Sequence, residues 1–337
     1  MDTMELASLF EATYHHDVQV RKQAEQRLGQ LEGNPHLLTA IMHLLKANNV
    51  PLATQQAAAI YFKNRVRRYW DISSDRENNA NIEQQISNED QAFLKREILS
   101  LLVHAPNAIQ VQLTSSLNCV LATDFPEKWP EFIHQVVQLI QSANSQAVYT
   151  GLISLLEVIK VYRFRSLKRR GPLTEIVEVV FPQLQKVAEA HLESTDPLAI
   201  PIIKTIFKSY ALAIQAELPT SLQNNESLVG WGTLFIKLVE RPIPLDESLD
   251  EDEQAQLSVW KSKKWAYHCI NKLFSRYGNP SLLPTKQNQY QAFAKTFILH
   301  FIPQIFQAYI GQTTLYVSKQ AWMSPKIRYF TAAFFSD

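Results

Sequence analysis

The stretch that decides the fold runs from Pro51 to Trp70 and reads PLATQQAAAIYFKNRVRRYW. One set of its residues recurs every three or four positions, which predicts a single buried face on an α-helix. These residues are Gln55, Ala59, Phe62, Val66 and Tyr69. Pro51 suits the start of a helix, where its missing N–H costs nothing. The small side chains of residues 57–59 let a neighbouring helix approach closely, so we expect this helix to pack against others.

The same periodicity returns along the whole chain. Leu6, Leu9 and Phe10 share one helix face, and Asp17 is suited to cap a second helix over residues 18–31. Further pairs of helices are predicted at a spacing of about 40 to 50 residues, which gives roughly seven pairs. They are 36–48 with 51–70, 89–105 with 107–122, 127–142 with 145–164, 173–193 with 197–217, 226–240 with 255–277, and 287–310 with 317–335.

This pattern predicts an all-α fold. No alternating strand pattern and no sustained heptad repeat is found, and only 8 glycines occur in the sequence, which favours long helices. Each helix pair can bury its apolar face only against a neighbouring pair. We therefore predict one right-handed α-solenoid of HEAT repeats over residues 1–337. The apolar end, with Tyr329, Phe330, Phe334 and Phe335, predicts the amino-terminal part of a longer chain.

Composition narrows the class of protein. Hydrophobic residues make up 46% of the 337 residues, so a large core is expected. The net charge of +1, from 33 basic and 32 acidic residues, argues against a strongly basic nucleic-acid-binding protein. Cys119 and Cys269 lie in apolar helical patterns and are interpreted as buried thiols in a reducing compartment. Because no signal peptide or long apolar run occurs, we expect a soluble protein without a membrane partner.

Motifs of catalysis and of metal binding are missing from the sequence. There is no GxGxxG, P-loop, HExxH or GxSxG motif. His15 and His16 are adjacent, so their rings do not share a helix face, and the pair His268 and Cys269 has no second ligand pair nearby. We predict no enzyme activity, no cofactor and no metal site.

Three charged segments are candidate binding sites. In helix 51–70, Lys63 and Arg67 lie one turn apart beside Asn64 and Arg68, which indicates either a solvated face or a surface for an acidic partner. A second segment, the acidic run of residues 246–253, should repel itself and stay disordered unless something basic binds it. Its acidic residues are Asp246, Glu247, Asp250, Glu251, Asp252 and Glu253. It is either a solvating linker or a binding site.

The third charged segment and one polar segment interrupt the helical pattern. The basic connector, residues 163–171, is interpreted as a surface turn whose cations follow a helix carboxyl end, with nucleic-acid contact as the less favoured alternative. Residues 71–88 are polar and rich in asparagine, which predicts a mobile loop.

Specific motifs resemble a known family. Residues 24–28 (AEQRL) and 55–64 (QQAAAIYFKN), with Trp70, are similar to the amino-terminal domain of importin-β-type karyopherins. Residues 124–130 (DFPEKWP) resemble a motif of these receptors at a repeat junction, where the prolines set a turn and Trp129 fills the space between repeats. Residues 260–280, which begin with WKSKKWA, resemble the importin seven/eight type, and the acidic run before them also fits that type.

The resemblance implies a nuclear transport receptor that shuttles between cytoplasm and nucleus. Residues 1–160 would be the repeats that bind the GTPase Ran in its GTP form, and residues 161–337 would be further HEAT repeats. The family places Ran contacts on the second helices of the first repeats, which implies Arg21, Lys22, Lys63, Asn64, Arg67 and Arg68. The acidic run would contact Ran or a basic cargo such as a ribosomal protein or a histone, and nucleoporin FG repeats would be further partners.

Two other interpretations stay open at this point. An exportin of the same family would bind Ran-GTP and cargo cooperatively, whereas an importin releases cargo when Ran-GTP binds. A HEAT-repeat scaffold of another class would show no dependence on Ran.

Overall fold

The computed structural model of the protein describes residues 2–71, 85–241, 243, 246, 248–278 and 293–336. Every regular element within these ranges is helical, and none of them is a strand, which confirms the all-α prediction. The helices α1 to α8 are Thr3–Ala12, Val18–Leu31, Leu37–Lys46, Leu52–Tyr69, Asn88–His104, Asn107–Asp124, Phe132–Ile140 and Ser145–Tyr162.

The remaining helices continue the same pattern. Helices α9 to α15 are Gly171–Leu192, Ala199–Ala213, Asn225–Glu240, Glu251–Gln256, Ser258–Tyr277, Ile302–Val317 and Pro325–Ser336. Short 3-10 helices cover Leu167–Arg169 and Thr220–Leu222, and a π-helical turn, Phe297–Phe301, leads into α14. In chain order the described helices form seven pairs, with the short α12 inserted between α11 and α13.

The chain forms two compact units. The first comprises Met1–Gln141 with Ile153–Val161, and the second comprises Ser142–Leu152 with Tyr162–Asp337, so that α8 contributes to both. In the first unit the first helices of successive pairs (α1, α3, α5) contact one another, and the second helices α4 and α6 do the same. In the second unit α9, α11 and α14 form one such layer, and α10, α13 and α15 form the other. This is the stacking expected of helical repeats.

Helix α4 buries the face that its periodicity predicts. Ala59, Phe62 and Val66 are fully buried, and Gln55 and Tyr69 are buried as well. The polar Gln55 is accommodated because its Nε2 donates to the carbonyl oxygen of Ala47, just beyond the end of α3, at 2.9 Å. In the next pair, Gln110 donates in the same way to the carbonyl oxygen of Leu102 at 3.2 Å. These amides satisfy helix-end carbonyls that would otherwise be buried without a partner.

A carboxylate from one pair caps a helix of the preceding pair. Asp90 of α5 is buried, and its carboxylate accepts hydrogen bonds from the backbone N–H groups of Leu38 (3.2 Å) and Thr39 (3.0 Å). It also accepts one from the Thr39 hydroxyl at 2.6 Å. The residue at the start of α3, His36, has a left-handed backbone (φ 68) and supplies no side-chain cap. Asp90 therefore takes that role from the next repeat, and its charge suits a helix amino terminus.

The segment Asp124–Pro130 connects α6 to α7 and begins at a buried charge. Lys95 of α5 places its Nζ 2.6 Å from Oδ2 of Asp124, whose side chain is 3% exposed. Lys95 Nζ also donates to the carbonyl oxygen of Lys128 at 3.0 Å. Trp129 is buried with its ring 4.9 Å from that of Phe132, so it fills the space at this junction as expected.

The same segment corrects one predicted boundary. Periodicity predicted a helix from residue 127, but α7 begins at Phe132. The peptide bond before Pro126 is cis, and Pro130 follows four residues later. Two prolines at this spacing favour a turn over a continuous helix, so the apolar periodicity extended the prediction too far.

The last predicted helix, 317–335, is also wrong at its start. Helix α14 ends at Val317, and α15 begins at Pro325. Lys319 adopts a left-handed backbone (φ 58), which ends the helix. Ser324 then accepts a hydrogen bond from the N–H of Ile327 at its Oγ (3.3 Å), as a helix cap does. The dipeptide Ser324-Pro325 carried this start signal in the sequence.

The two cysteines differ in their surroundings. Cys269 is fully buried in the second unit, as the sequence predicted. Its thiol donates to the carbonyl oxygen of Phe207 at 3.3 Å. Burial raises the pKa of its thiol well above the usual range. Cys119 of the first unit is only partly buried, which corrects the prediction of two buried thiols. Neither cysteine forms a disulfide.

The pairing of Lys95 with Asp124 predicts a measurable loss of stability in the Lys95→Met variant. Removal of the ammonium leaves a buried carboxylate for which Lys128, at 4.0 Å, is the one remaining ion-pair partner among the described residues. We expect the free energy of opening of α5 and α6, measured by hydrogen exchange, to fall by about 2–3 kcal/mol.

The matched control is Lys46→Met, which breaks the ion pair of Lys46 and Glu97. Its N–O distance is 2.7 Å, but its side chains are 35% and 27% exposed. Such a pair should contribute below about 1 kcal/mol. Equal losses in the two variants would show that Asp124 is not a buried anchor.

Candidate functional site

The predicted basic face of α4 is accessible to a partner. Asn64, Arg67 and Arg68 are exposed and Lys63 is half-buried. Asn64, Arg67 and Arg68 line an open cavity of about 430 Å³. The other lining residues are Glu32, Tyr61, Arg65 and Tyr69. Four of the six residues implied for Ran binding therefore lie on one helix, and three of them share one concave surface.

Arg65 is the member of this cavity that the sequence analysis missed. It is 4% exposed, and its Nη2 donates to the carbonyl oxygen of Glu32. Its guanidinium lies over the ring of Tyr69, 5.5 Å from the centroid, and Arg68 lies over the same ring at 5.8 Å. Nε and Nη1 of Arg65 have no hydrogen-bond partner among the described residues. A fixed positive charge thus lies at the floor of the cavity.

Two tyrosines define the rest of the wall. The hydroxyl of Tyr69 donates to Oε2 of Glu32 at 3.3 Å, and that of Tyr61 lies 3.4 Å from the carbonyl oxygen of Leu28. Burial, with the nearby charge of Glu32, raises the pKa of Tyr61 to about 12. Tyr61 is therefore a neutral donor at physiological pH. The cavity combines exposed cations with rigid aromatic walls, which suits recognition of a protein surface.

Arg21 and Lys22 occupy a different place on α2. Arg21 is half-buried, and its Nη1 donates to the carbonyl oxygens of His15 (2.7 Å) and His16 (2.9 Å). Lys22 is exposed. Along a helix, the distance from Arg21 to the level of Glu32 is roughly 16 Å, since each residue rises about 1.5 Å. The structure therefore does not bring these two residues into the cavity of α4, and Arg21 stabilises the turn between α1 and α2.

The acidic run is more ordered than its charge predicted. Asp246, Asp250, Glu251, Asp252 and Glu253 are exposed, and Glu247 lies outside the described residues. Residues from Glu251 onward form α12, so the prediction of a disordered segment is wrong for this part.

A capping box explains this order. The N–H of Glu253 donates to Oδ1 of Asp250 at 2.8 Å, and the N–H of Asp250 donates to the Glu253 carboxylate at 3.1 Å. Acidic side chains in the first turn of a helix also interact favourably with its dipole, which offsets their mutual repulsion. The buried Gln254 anchors the run by donating to the carbonyl oxygen of Asp246 at 2.5 Å. Hydrogen bonds from Ser248 lower the pKa of the Asp246 carboxyl. The run thus presents ionised carboxylates from a defined scaffold.

The basic connector is partly structural. Arg170 is buried, donates to the carbonyl oxygen of Ala213 at 3.1 Å, and lies 3.7 Å from the carboxylate of Glu217. The expectation of a plain surface turn is therefore wrong for this residue. Lys168 and Arg169 are exposed, while Arg163 lies over the ring of Phe164 at 4.6 Å.

Three further predictions concern metal binding, membrane spans and the loop at residues 71–88. The ring centroids of His15 and His16 are 4.1 Å apart, and no cluster of three or more metal-ligating side chains occurs in the described part of the chain. Among the helices that the structure describes, none is both long and apolar enough to cross a membrane. Most of the predicted mobile loop, residues 72–84, lies outside the described residues.

Comparisons with known proteins point to one family. The importin-beta N-terminal domain matches residues 24–104. Human importin-8 is 28% identical over 92% of this chain, which spans 30% of the relative. The importin beta-like SAD2 homolog of Arabidopsis thaliana is 30% identical over 86% of the chain, and zebrafish exportin-2 is 28% identical over 77%. Each of these two alignments covers 27% of the relative, so the chain spans about a third or less of the relatives it matches.

Solved structures share the fold. The structure of the exportin Cse1 in its cargo-free, cytoplasmic state aligns with a TM-score of 0.69 and 20% identity. The alignment covers 95% of this chain and 37% of the Cse1 chain. Kap95p, in a structure in which it binds RanGDP, matches 94% of this chain and 35% of its own, with a TM-score of 0.50 and 16% identity. The likeness confirms the predicted class, an α-solenoid of HEAT repeats. The matched domain shows that residues 24–104 form an importin-beta N-terminal domain, and the chain is similar to karyopherins of the importin-β family over most of its length.

Proposed function

We propose that this chain is the Ran-binding part of a nuclear import receptor. Residues 1–160 bind Ran in its GTP form, and residues 161–337 continue the HEAT repeats with the acidic run 246–253. The observation that carries this proposal is the cavity of α4, where Arg65 lies beneath the exposed Asn64, Arg67 and Arg68. The relative Kap95p binds Ran according to the structure named above, which supports the choice of partner.

The charge on α4 suits an acidic surface of a folded partner. Lys63 and Arg67 are one turn apart, and like charges at this spacing cost a few tenths of a kcal/mol in the free chain. An acidic partner reverses that cost. Arg65 is held at the floor of the cavity because its guanidinium donates to the backbone carbonyl of Glu32 and packs on the ring of Tyr69. The site therefore needs little reordering on binding, which favours affinity.

The acidic run supplies the second half of the proposal. Its carboxylates are exposed on the scaffold of α12, where they fit a basic cargo such as a ribosomal protein or a histone, or a basic patch of Ran. Ran-GTP and cargo would then favour different conformations, which gives a negative and reciprocal coupling between the two ligands. In this proposal the receptor loads cargo in the cytoplasm, passes the pore on nucleoporin FG repeats and releases cargo in the nucleus.

An exportin is the second candidate. It is favoured by the similarity to exportin-2 and by the fold shared with Cse1. The sign of the coupling separates the two functions, since Ran-GTP would tighten cargo binding by an exportin and loosen it for an importin. The higher coverage of the chain by importin-8 supports import as the first choice.

The α4 site predicts a charge-reversal phenotype. The double variant Lys63→Glu, Arg67→Glu should weaken binding of Ran-GTP by about tenfold or more, because two attractive contacts become repulsive. Binding is measured by calorimetric titration, and helicity by circular dichroism. Unchanged affinity in this variant would place the Ran site elsewhere on the chain.

The matched control reverses two other exposed cations of the same unit, with Arg27→Glu and Arg96→Glu. These residues lie on α2 and α5, outside the α4 cavity. The control carries the same change in net charge, so an equal loss of affinity in both variants would indicate only long-range attraction.

A second prediction concerns the acidic run. Its six acids are changed to the matching amides, which removes charge but keeps the cap because asparagine also caps helices well. We expect weaker binding of a histone or of Ran-GTP, and a flatter dependence of that affinity on salt. If neither affinity nor its salt dependence changes, the run is a linker. The variant Asp250→Ala, which breaks the capping box, reports separately on the order of α12.

A further inference from the structure

One layer of the second unit carries charge of a single sign. Helices α10, α13 and α15 are the second helices of successive pairs and contact one another in that order. These three helices contain lysine and arginine but no aspartate or glutamate. No local pattern in the sequence marks this layer, because its lysines are spread over more than 120 residues.

On α10 and α13 the accessible part of this layer is narrow. Most of α10 is buried, and the half-buried positions Lys204 and Lys208 lie one turn apart. Lys261 and Lys264 lie half-buried one turn apart on α13, and Lys326 is exposed on α15. We call these five residues the lysine ridge.

The charges of the ridge lie close enough to repel one another. Burial lowers the pKa of Lys204, and the charges of Lys261 and Lys264 lower it further. Burial likewise lowers the pKa of Lys264, with contributions from Lys326 and Lys261. In the part of the unit that the structure describes, no ion pair relieves Lys204, Lys261, Lys264 or Lys326. A bound anionic group would convert this repulsion into attraction.

Aromatic rings lie among these lysines. Lys264 and Lys208 lie over the half-buried ring of Trp265, at 5.4 and 5.7 Å from its centroid. Lys326 lies over the exposed ring of Tyr329 at 5.3 Å. The ridge therefore offers apolar surface beside each group of cations.

Neighbouring cations outside the ridge are occupied by the fold. Lys263 is buried, donates to Oε1 of Gln312 at 3.2 Å and has its pKa lowered to about 7 by burial. Lys272 donates to the carbonyl oxygen of Ala211 at 3.3 Å and also to Gln215, and so caps the end of α10. Arg276 donates to the carbonyl oxygen of Ala216 at 3.0 Å. These three cations have structural partners within the described part of the unit.

We propose that the lysine ridge is a docking site for an acidic, extended protein segment that also carries an aromatic side chain. Carboxylates would lie over the ammonium groups of the ridge, and the ring would pack beside Trp265. Three adjacent helices span about 20 Å at their usual spacing. An extended chain covers that distance with about six residues. The inference uses only the second unit and does not depend on the proposed Ran site.

A protein segment fits this site better than a nucleic acid does. The ridge is short and consists of lysines, without the arginines that contact phosphates in a bidentate way. The acidic run ends only eight residues before Lys261, at Glu253. A long polyanion would extend beyond the ridge and be repelled by those carboxylates, whereas a short acidic segment need not meet them.

The test uses a fluorescent peptide of about ten residues that alternates glutamate with glycine and serine and contains one tryptophan. Its binding to the full chain is followed by fluorescence anisotropy at two salt concentrations. The charge control is the same peptide with glutamine in place of glutamate. A single-stranded oligo-dT of similar length is the nucleic-acid probe.

The protein variant is Lys261→Glu, Lys264→Glu, Lys326→Glu. Its matched control is Lys168→Glu, Lys186→Glu, Lys237→Glu, which reverses three exposed lysines of the same unit away from the ridge. A milder variant with glutamine at the three ridge positions keeps the test valid if charge reversal disturbs folding, which circular dichroism monitors.

We expect the acidic peptide to bind and its glutamine analogue to lose binding. The ridge variant should lose about tenfold or more in affinity, the glutamine variant should also lose affinity, and the control should stay within about twofold of the parent. Absence of peptide binding, equal losses in ridge and control variants, or tighter binding of oligo-dT than of the peptide would each overturn the proposal. Because Ran is absent, failure here leaves the proposed transport function unaffected.

Discussion

The structure depends on the fact that no helix pair can bury its apolar face alone. Within each unit a pair packs against its neighbour, and a few buried polar groups fix the contact geometry. Asp90 caps α3 from the following repeat, and Lys95 neutralises Asp124 between the two helices of one pair. These contacts are directional, whereas apolar packing is not, so they set the register between helices that hydrophobic burial holds together. In the second unit a cluster of buried rings takes over much of this packing, with Tyr210 lying 4.8 Å from Trp231 and 5.0 Å from Phe235.

The same packing decides where recognition is possible. The well-buried second helices α4 and α10 each leave only a strip for solvent. In the first unit such a strip, on α4, carries Lys63, Asn64 and Arg67, and in the second unit the strips carry the lysine ridge. Negative charge is instead concentrated in the acidic run between α11 and α13. A solenoid of this kind can offer acidic and basic ligands separate places on its extended surface.

Periodicity predicted the helices well because burial of one face is a local property of the sequence. The face of α4, for example, is buried as its spacing indicated. Arg65 could not be predicted, since its burial depends on the carbonyl of Glu32, which lies 33 residues away. The order of the acidic run was not predicted, although Asp250 and Glu253 have capping-box spacing. The capping box outweighs the repulsion between like charges, on which the prediction rested. The lysine ridge is formed by three helices far apart in sequence, and only their contacts reveal it.

The central claim is that this chain recognises Ran by its nucleotide state. The most direct test is calorimetric titration of the chain with Ran loaded with a non-hydrolysable GTP analogue, and then with GDP. We predict binding of the GTP form only. Equal binding of both forms, or no binding of either, would contradict the account and leave a HEAT-repeat scaffold without Ran dependence.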